Sequence, residues 1–366
     1  MPQSTRPADL YLVSSTLHFF WAWLLAAKHQ PQRDAHLWLI DQYTQQPLAF
    51  TPLLNEVDTP FLSSKLWAGR ELKGWQKYQQ RKQDFNQAQS MLKELQFEQV
   101  FIGNDRSVFG QYVLRTLKQA QKPQQPQNSS SQLAIALDDG VFSYLGRAAS
   151  KSWHERIIDQ GLKKLSYGLW YDSPSTIGAS KWIDQACLMY PSYAHSELQG
   201  KSPQNISLAR KDLNSFAPIA QRLIRMHAKA LIEANAPDIL IALPNHNLIK
   251  TTPDYLSRLT KLIKQLQQQN KRIAVKYHPV AQGEDKLNLV SQFGVQCIND
   301  QLSFEVLLSL WQDQGIEFIG DLSTTTLLAH YFGFNSQWLS GVQTQHTQAM
   351  QGFCQALGIK QVHLDD

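Results

Sequence analysis

The sequence is poor in cysteine and in the short motifs that mark several common enzyme classes. Only three cysteines occur among 366 residues, and they are widely spaced: Cys187, Cys297 and Cys354. A disulfide framework is therefore not expected, and a reducing compartment is indicated. The chain also lacks GxGxxG, Walker, HExxH, GxSxG and CxxC motifs. Their absence disfavours redox, ATPase and zinc-hydrolase functions.

The first apolar segment, residues 17–27 (LHFFWAWLLAA), is too short to cross a membrane, and Arg6 is the only basic residue before it. We therefore predict no cleavable signal and a buried first helix instead. The formal net charge is +5, and no dense Lys/Arg cluster with base-stacking aromatics stands out, so nucleic acid is not an expected partner. We expect a cytoplasmic protein, with peripheral contact to the inner face of the inner membrane as an open alternative.

Apolar runs alternate with helix-like segments along most of the chain, which is typical of an α/β protein. A hydrophobic content of 43% and a charged content of 18% describe a globular chain, and its length suits two domains. We predict two Rossmann-like domains, residues 1–234 and 235–344, facing each other across a cleft. Residues 345–366 are expected to form a helix that packs back on the first domain.

Strands are predicted at residues 9–14, 36–40, 99–103, 133–137, 238–243, 272–277, 295–298 and 317–319. Residues 63–95 are predicted to form one or two long helices. Between Lys65 and Lys82 this stretch carries six basic residues and one acid. We interpret it as a solvated helix face, with a membrane-surface or anionic-acceptor patch as the alternative. Residues 122–132 (KPQQPQNSSSQ) are of low complexity and predict a mobile surface loop.

Three polar motifs follow predicted strands, where open α/β sheets place their ligands. Asp138-Asp139-Gly140 ends one apolar run, His278-Pro279 ends another, and Ser323-Thr324-Thr325-Thr326 follows a third and opens a helix. A carboxylate, an imidazole and a hydroxyl-rich helix start can together activate a hydroxyl nucleophile and release a phosphate. The combination indicates glycosyl transfer from a nucleotide-activated sugar.

The acidic motif predicts a general base. A carboxylate at a strand end can take the proton of an attacking hydroxyl, and the two adjacent carboxylates can raise the pKa of one of them. Gly140 permits a sharp turn and leaves room for a sugar. An acidic turn without catalysis and a Mg²⁺ site are the alternatives.

The other two motifs predict a phosphate site. Pro279 stops its strand, so that His278 projects and can hydrogen-bond to a departing phosphate oxygen. The helix that starts at Ser323 offers backbone N–H groups, its dipole and hydroxyl donors to a phosphate. Glu305 can accept hydrogen bonds from a ribose. A capping histidine, an ordinary Ser/Thr N-cap and a first-turn glutamate are the respective alternatives.

The ordered set of motifs resembles the bacterial sialyltransferases of the GT-B fold, of the lipooligosaccharide, polysialic acid and galactoside types. Those enzymes share an acidic-acidic-Gly motif, a His-Pro motif and a Ser/Thr pair in this order. Residues 302–307 (LSFEVL) and 101–112 (FIGNDRSVFGQY) are also similar to segments of that family.

This resemblance implies inverting transfer of sialic acid or a related nonulosonic acid from its CMP-activated form to a cell-surface glycan, without a metal or other cofactor. Asp139 would be the general base, with Asp138 the less favoured candidate, and His278 would assist CMP departure. The implied nucleotide contacts are Glu305, Ser323, Thr324, Thr325, Pro279 and Lys276. The candidate substrate contacts are Gly140, Asn104, Asp105, Asn245 and His246.

Three alternatives stay open. The donor could be CMP-Kdo or a UDP-sugar within the same class of transferase. A nucleotide-sugar 2-epimerase could use the same two domains on a UDP-sugar without an acceptor. A glycan-binding protein without catalysis is the third, although a lectin has no need of a phosphate site.

Overall fold

Each half of the chain folds around its own parallel β-sheet. The computed structural model describes residues 6–121, 134–146, 161–228, 236–245, 249–250, 252–278, 285–299, 301–339 and 345–364. Contacts between residues divide the chain into two units, Met1–Ser207 and Leu208–Asp366. The α/β class is confirmed.

Among the described residues, the first sheet has seven parallel strands in the order β3-β2-β1-β4-β5-β6-β7. The strands are β1 Ala8–Val13, β2 Asp34–Leu39, β3 Ser63–Leu66, β4 Phe97–Ile102, β5 Ala134–Leu137, β6 Gln185–Leu188 and β7 Gln204–Asn205. In register, Leu10 of β1 lies opposite His36 of β2 on one side and Val100 of β4 on the other. The strand order reverses between β1 and β4, and such a switch point is where open α/β sheets bind ligands.

Among the described residues, the first unit contains the helices α1 Thr16–His29, α2 Gly74–Glu94, α3 Val108–Gln121, α4 Val141–Leu145 and α5 Ser196–Gln199, and residues 161–167 are also helical. α1 begins at the N-cap Ser15, whose side chain accepts a hydrogen bond from the His18 backbone N–H at 3.3 Å. Every side chain from His18 to Ala26 is buried. A helix that is apolar on all sides belongs in a core, so the prediction of a buried first helix is confirmed.

The described part of the second unit contains six parallel strands in the order β10-β9-β8-β11-β12-β13. The strands are β8 Ile239–Ala242, β9 Ile273–Lys276, β10 Gln296–Ile298, β11 Glu317–Gly320, β12 Asn335–Trp338 and β13 Lys360–Gln361. The helices are α6 Ala217–His227, α7 Tyr255–Gln268, α8 Leu289–Phe293, α9 Phe304–Leu310, α10 Thr324–Tyr331 and α11 Gln345–Ala356. The order has its switch point between β8 and β11, and both sheets follow the Rossmann pattern.

The division of the chain lies earlier than the predicted boundary at residue 235. α6 packs against α9 of the second unit, and its side chains Ile219, Leu223 and Ile224 are buried. Residues 208–228 therefore belong to the second unit. α11 is grouped with the same unit, and its packing back on the first domain stays a prediction.

Residues 63–95 were predicted to form one or two long helices, and this prediction is wrong for the first part of the stretch. β3 pairs with β2 first, and α2 begins only at Gly74. Part of the basic stretch is used inside the fold, since the Arg81 guanidinium is buried and donates to Asp84 Oδ2 at 3.0 Å. Trp67 is buried with its ring centroid 4.6 Å from that of Phe109. The predicted loop at 122–132 lies outside the described residues.

None of the described helices is both long and apolar enough to span a bilayer. The three cysteines are free thiols, in agreement with the expectation from their spacing.

Candidate active site

Polar side chains gather where β1, β4, β5 and β6 of the first sheet end. His18 lies just after β1, Asn104 after β4, and Asp138 and Asp139 after β5. After β6, the backbone N–H of Met189 joins them. Because the carboxyl ends of parallel strands meet at one edge, residues distant in sequence come together there.

Asp138 is fully buried and serves the local fold. Its Oδ1 accepts a hydrogen bond from the Gly140 N–H at 2.6 Å, and its Oδ2 accepts one from the Met189 N–H at 2.8 Å and another from the Tyr144 hydroxyl. Burial raises the pKa of Asp138 to about 6, against the opposing effect of these donors, and repulsion from Asp139 contributes least. The sequence suggested that repulsion between the paired charges raises this pKa. The chief cause is instead burial of the Asp138 carboxyl group.

Asp139 has different surroundings although it is the next residue. Its side chain is 15% exposed, and its Oδ1 lies 2.8 Å from His18 Nε2. Its backbone N–H donates to Ser143 Oγ at 2.9 Å, which fixes the turn into α4. Gly140 has φ +70°, a conformation that favours glycine. Asp139 is thus the carboxylate of the motif that reaches the surface.

His18 was not among the sequence candidates. It is 2% exposed, and its Nδ1 lies 3.4 Å from Ser14 Oγ. A β-carbon at position 103 would lie 2.0 Å from His18 Cγ, so Gly103 leaves the space that the imidazole fills. The indole N–H of Trp21 donates to the Asp138 carbonyl at 3.1 Å, and α1 therefore holds the acidic motif at two points. The available signal was a histidine within an otherwise apolar helix that directly follows a strand.

The two candidates after β4 differ in accessibility. Asn104 is half-buried, and its Oδ1 accepts a hydrogen bond from the Arg106 N–H at 3.1 Å. Asp105 is fully buried and accepts hydrogen bonds from the N–H groups of Gly178 and Ser180, both at 2.8 Å. Asp105 therefore anchors the loop at 178–180, and its predicted role as a substrate contact stays a prediction.

The second sheet presents its candidates at the corresponding edge. Asn245 follows β8, His278 follows β9, Glu305 lies in the first turn of α9 after β10, and residues 321–325 follow β11. His246 and Pro279 lie outside the described residues. Each candidate that is described in this unit comes at or just beyond the carboxyl end of a strand.

His278 is half-buried beside a basic group. Desolvation lowers the pKa of its imidazole, and the positive charge of Lys276 lowers it further. The Lys276 side chain is itself buried, with Nζ donating to the Tyr277 carbonyl at 3.4 Å. Both effects favour the neutral imidazole, which can still donate a hydrogen bond through its one N–H.

The start of α10 combines a helix terminus with hydroxyl groups. Ser323, the N-cap, has extended backbone angles and makes no capping bond with its side chain. Its Oγ instead lies 2.8 Å from Thr325 Oγ1. Thr326 Oγ1 donates to the Asp321 carbonyl at 2.7 Å, and Thr324 is half-buried in the first turn. The hydroxyls of residues 323–325 thus surround the positive end of the helix dipole, where anions bind favourably.

Two acidic residues belong to this part of the second unit, Asp321 just before α10 and Glu305 on α9. Asp321 is buried, and desolvation raises its pKa to about 6 although Leu322 N–H donates to its Oδ1 at 2.9 Å. Glu305 is buried in the first turn of α9. Next to it, Ser303 Oγ is buried and has no hydrogen-bond partner among the described residues.

No cluster of three or more His, Cys, Asp or Glu side chains suited to a metal ion occurs within the part of the chain that the structure describes. Both oxygens of Asp138 are already occupied by donors from the protein. The independence from metal that the sequence suggested stays a prediction.

By sequence, the chain matches no protein-family model and no curated protein. By structure, it is similar to an α/β-galactoside α-2,3-sialyltransferase from Photobacterium phosphoreum, with a TM-score of 0.55, 12% identity, and coverage of 98% of this chain and 99% of that one. It is also similar to a UDP-GlcNAc 2-epimerase from Methanocaldococcus jannaschii, with a TM-score of 0.56, 10% identity, and coverage of 98% and 89%. The predicted GT-B type fold with two Rossmann-like domains is confirmed. At these identities the likeness is one of fold.

Proposed function

We propose that this protein is an inverting glycosyltransferase that moves sialic acid, or a related nonulosonic acid, from a CMP-activated donor to a hydroxyl of a cell-surface glycan. The observation that carries the proposal is Asp139, a partly exposed carboxylate held by an imidazole at the ligand-binding edge of a Rossmann-like sheet. A carboxylate in such a setting suits the removal of a proton from an attacking hydroxyl.

In the proposed reaction, the acceptor hydroxyl attacks the anomeric carbon of the donor and gives its proton to Asp139. A bond forms between the acceptor oxygen and the anomeric carbon, while the bond from that carbon to the phosphate oxygen breaks. CMP leaves with the electron pair of the broken bond. Attack opposite to the leaving group inverts the configuration at the anomeric carbon.

Departure of CMP requires stabilisation of the charge that develops on its phosphate. We assign this task to the imidazole N–H of His278 and to the start of α10, with Ser323, Thr324 and Thr325 as hydroxyl donors. A helix terminus with hydroxyl groups can carry out this task without a cation. Glu305 is assigned to the ribose. Burial, and after it the positive charge of Lys276, lowers the pKa of the His278 imidazole.

The candidate substrate contacts follow strands of the first sheet and of the second. Gly140 has no side chain and directly follows Asp139, and Asn104 offers an amide at the end of β4. Asn245 and His246 follow β8 and remain candidate substrate contacts. Pro279 remains a candidate contact for the nucleotide.

A direct assay separates this proposal from its alternatives. The purified chain is incubated with CMP-sialic acid, CMP-Kdo or UDP-GlcNAc, with and without a galactoside acceptor, and products are identified by mass spectrometry and NMR. CMP release with an elongated acceptor supports the proposal. Transfer only from CMP-Kdo or a UDP-sugar would show that the proposed donor is wrong. Conversion of UDP-GlcNAc into its 2-epimer without an acceptor would show that the protein is an epimerase and not a transferase. Binding without turnover of any of these donors overturns the proposal.

We also propose that one surface of the first unit contacts anionic membranes. Trp75, Leu165 and Leu169 protrude, with exposed fractions of 68%, 85% and 85%. The start of α2 lies next to the helical residues 161–167, since the ring centroids of Tyr78 and Tyr167 are 6.1 Å apart. The lysines on these two stretches are Lys73, Lys77, Lys82, Lys163 and Lys164, whereas Arg81 is buried. Protruding apolar groups among lysines suit an anionic bilayer surface, and we call this set the apolar-basic surface.

A further inference from the structure

We infer that His18 is a positioning residue for Asp139, which it holds in the orientation needed to accept the proton of the acceptor hydroxyl. The inference rests on the proposed function and deepens it, because it concerns the base of that same reaction. His18 itself lies below the surface, at 2% exposure, and it acts through the carboxylate.

The contact leaves the two oxygens of Asp139 in different states. His18 Nε2 lies 2.8 Å from Oδ1, and Oδ2 makes no hydrogen bond within the described residues. One oxygen is thus held by the protein while the other is left to accept a proton. Fixing the first oxygen limits rotation of the carboxylate, and preorganisation of this kind contributes to rate through orientation.

The contact also indicates the tautomer of His18. A carboxylate accepts hydrogen bonds, so Nε2 carries the hydrogen and Nδ1 is the acceptor nitrogen in the neutral ring. Ser14 Oγ lies 3.4 Å from Nδ1 and can donate to it. The pair reverses the usual division of work in a hydrolase triad, where a carboxylate orients the imidazole that takes the proton.

The imidazole has little freedom to leave this position. α1 carries it, and Gly103 at the end of β4 packs so closely that an added β-carbon would lie 2.0 Å from the ring. A methyl group at position 103 must therefore displace the ring or the strand end. The arrangement provides two independent ways to disturb Asp139 without changing it.

The test uses the full chain in the transfer assay with CMP-sialic acid and a galactoside. His18→Phe keeps a ring but removes the donor, and we expect kcat to fall by about a hundredfold while the KM for the donor changes little. His18→Gln places an amide N–H near the position of Nε2 and should recover most of the rate. Gly103→Ala should lower kcat in the same way with His18 intact.

Matched controls separate positioning from folding. His36 is also a buried histidine of the first sheet, with Nδ1 2.7 Å from Ser63 Oγ, so His36→Phe should lower stability without a comparable loss of kcat. Gly200→Ala introduces a β-carbon into open space and should be silent. Folding of each variant is checked by circular dichroism and thermal unfolding.

Each outcome is decisive. A folded His18→Phe variant with the kcat of the wild type overturns the inference and leaves the proposed function intact. Equal losses in His18→Phe and His18→Gln also overturn it, because the hydrogen bond would then be irrelevant. Absence of turnover in the wild type overturns the proposed function, and the inference falls with it.

Discussion

Asp138 and Asp139 are neighbours in sequence, yet Asp138 is bound by three donors inside the protein while Asp139 meets a single imidazole, with Oδ1 2.8 Å from His18 Nε2. One carboxylate therefore maintains the turn after β5 and the other is available for chemistry. This separation leads to opposite expectations for two similar substitutions.

Asp139→Asn should lower kcat by a factor of about 10² to 10⁴, the usual contribution of a general base, with little change in stability. Asp138→Asn should instead lower the free energy of unfolding by about 3 kcal/mol, because an amide cannot accept from all three buried donors. Transfer assays and urea unfolding measure the two effects. The exposed Asp58 supplies the control Asp58→Asn, which should change neither. Loss of activity in Asp138→Asn at full stability would contradict these assignments.

Ser323 and Thr326 should also separate binding from folding within one helix. Ser323→Ala removes a proposed phosphate donor, and the Kd for CMP should rise by about tenfold or more, the effect of a hydrogen bond to a charged group. Thr326→Val should leave CMP affinity unchanged and cost about 1 kcal/mol of stability, because Thr326 Oγ1 donates to the Asp321 carbonyl. Calorimetric titration with CMP tests both. Equal losses of CMP affinity would place the phosphate elsewhere.

Asp321 should make stability fall as the pH rises through its titration range. Its pKa is raised from 3.8 to about 6 by desolvation, so the folded chain holds a proton between pH 4 and 6 that the unfolded chain has released. The stability that Asp321 contributes is therefore greatest below pH 4 and is lost as the pH rises through 6. A difference of about two pKa units corresponds to about 3 kcal/mol.

Asp321→Asn keeps an acceptor for the Leu322 N–H but removes this titration. Relative to the wild type, the variant should gain stability between pH 4 and 7, as measured by urea unfolding at several pH values. Parallel pH curves for the two proteins would show that the carboxyl group is not desolvated as described.

The apolar-basic surface should bind vesicles through both charge and apolar contact. Lys163→Glu combined with Lys164→Glu should weaken binding to vesicles of mixed phosphatidylglycerol and phosphatidylcholine by at least about tenfold, since each basic residue contributes about 1 kcal/mol near such a surface. Cosedimentation measures this effect. Lys261→Glu with Lys264→Glu makes the same change of charge on α7 and should have no effect. Equal vesicle binding by the wild type and both double variants would show that the apolar-basic surface does not contact membranes.

Much of the architecture could be predicted because parallel strands in α/β proteins are short apolar runs with polar residues at their ends. The runs that became β1, β4, β5, β8 and β9 were recognised for this reason. β7 and β13 were missed because two-residue strands with the sequences QN and KQ carry no apolar pattern. β3 was missed because its sequence, SSKL, continues into a helix-like stretch.

Local sequence patterns were enough to predict that the chain is α/β, that it carries two Rossmann-like sheets, and that Asp139, His278 and Ser323 follow strands. These features depend on local periodicity and on the ends of strands. The folded structure was needed to show which aspartate is buried, that Asp105 anchors a loop, and that His18 contacts Asp139 across 121 residues of sequence. Burial and such distant contacts arise from how α1, β4 and β5 pack together, and no local pattern of residues encodes that packing.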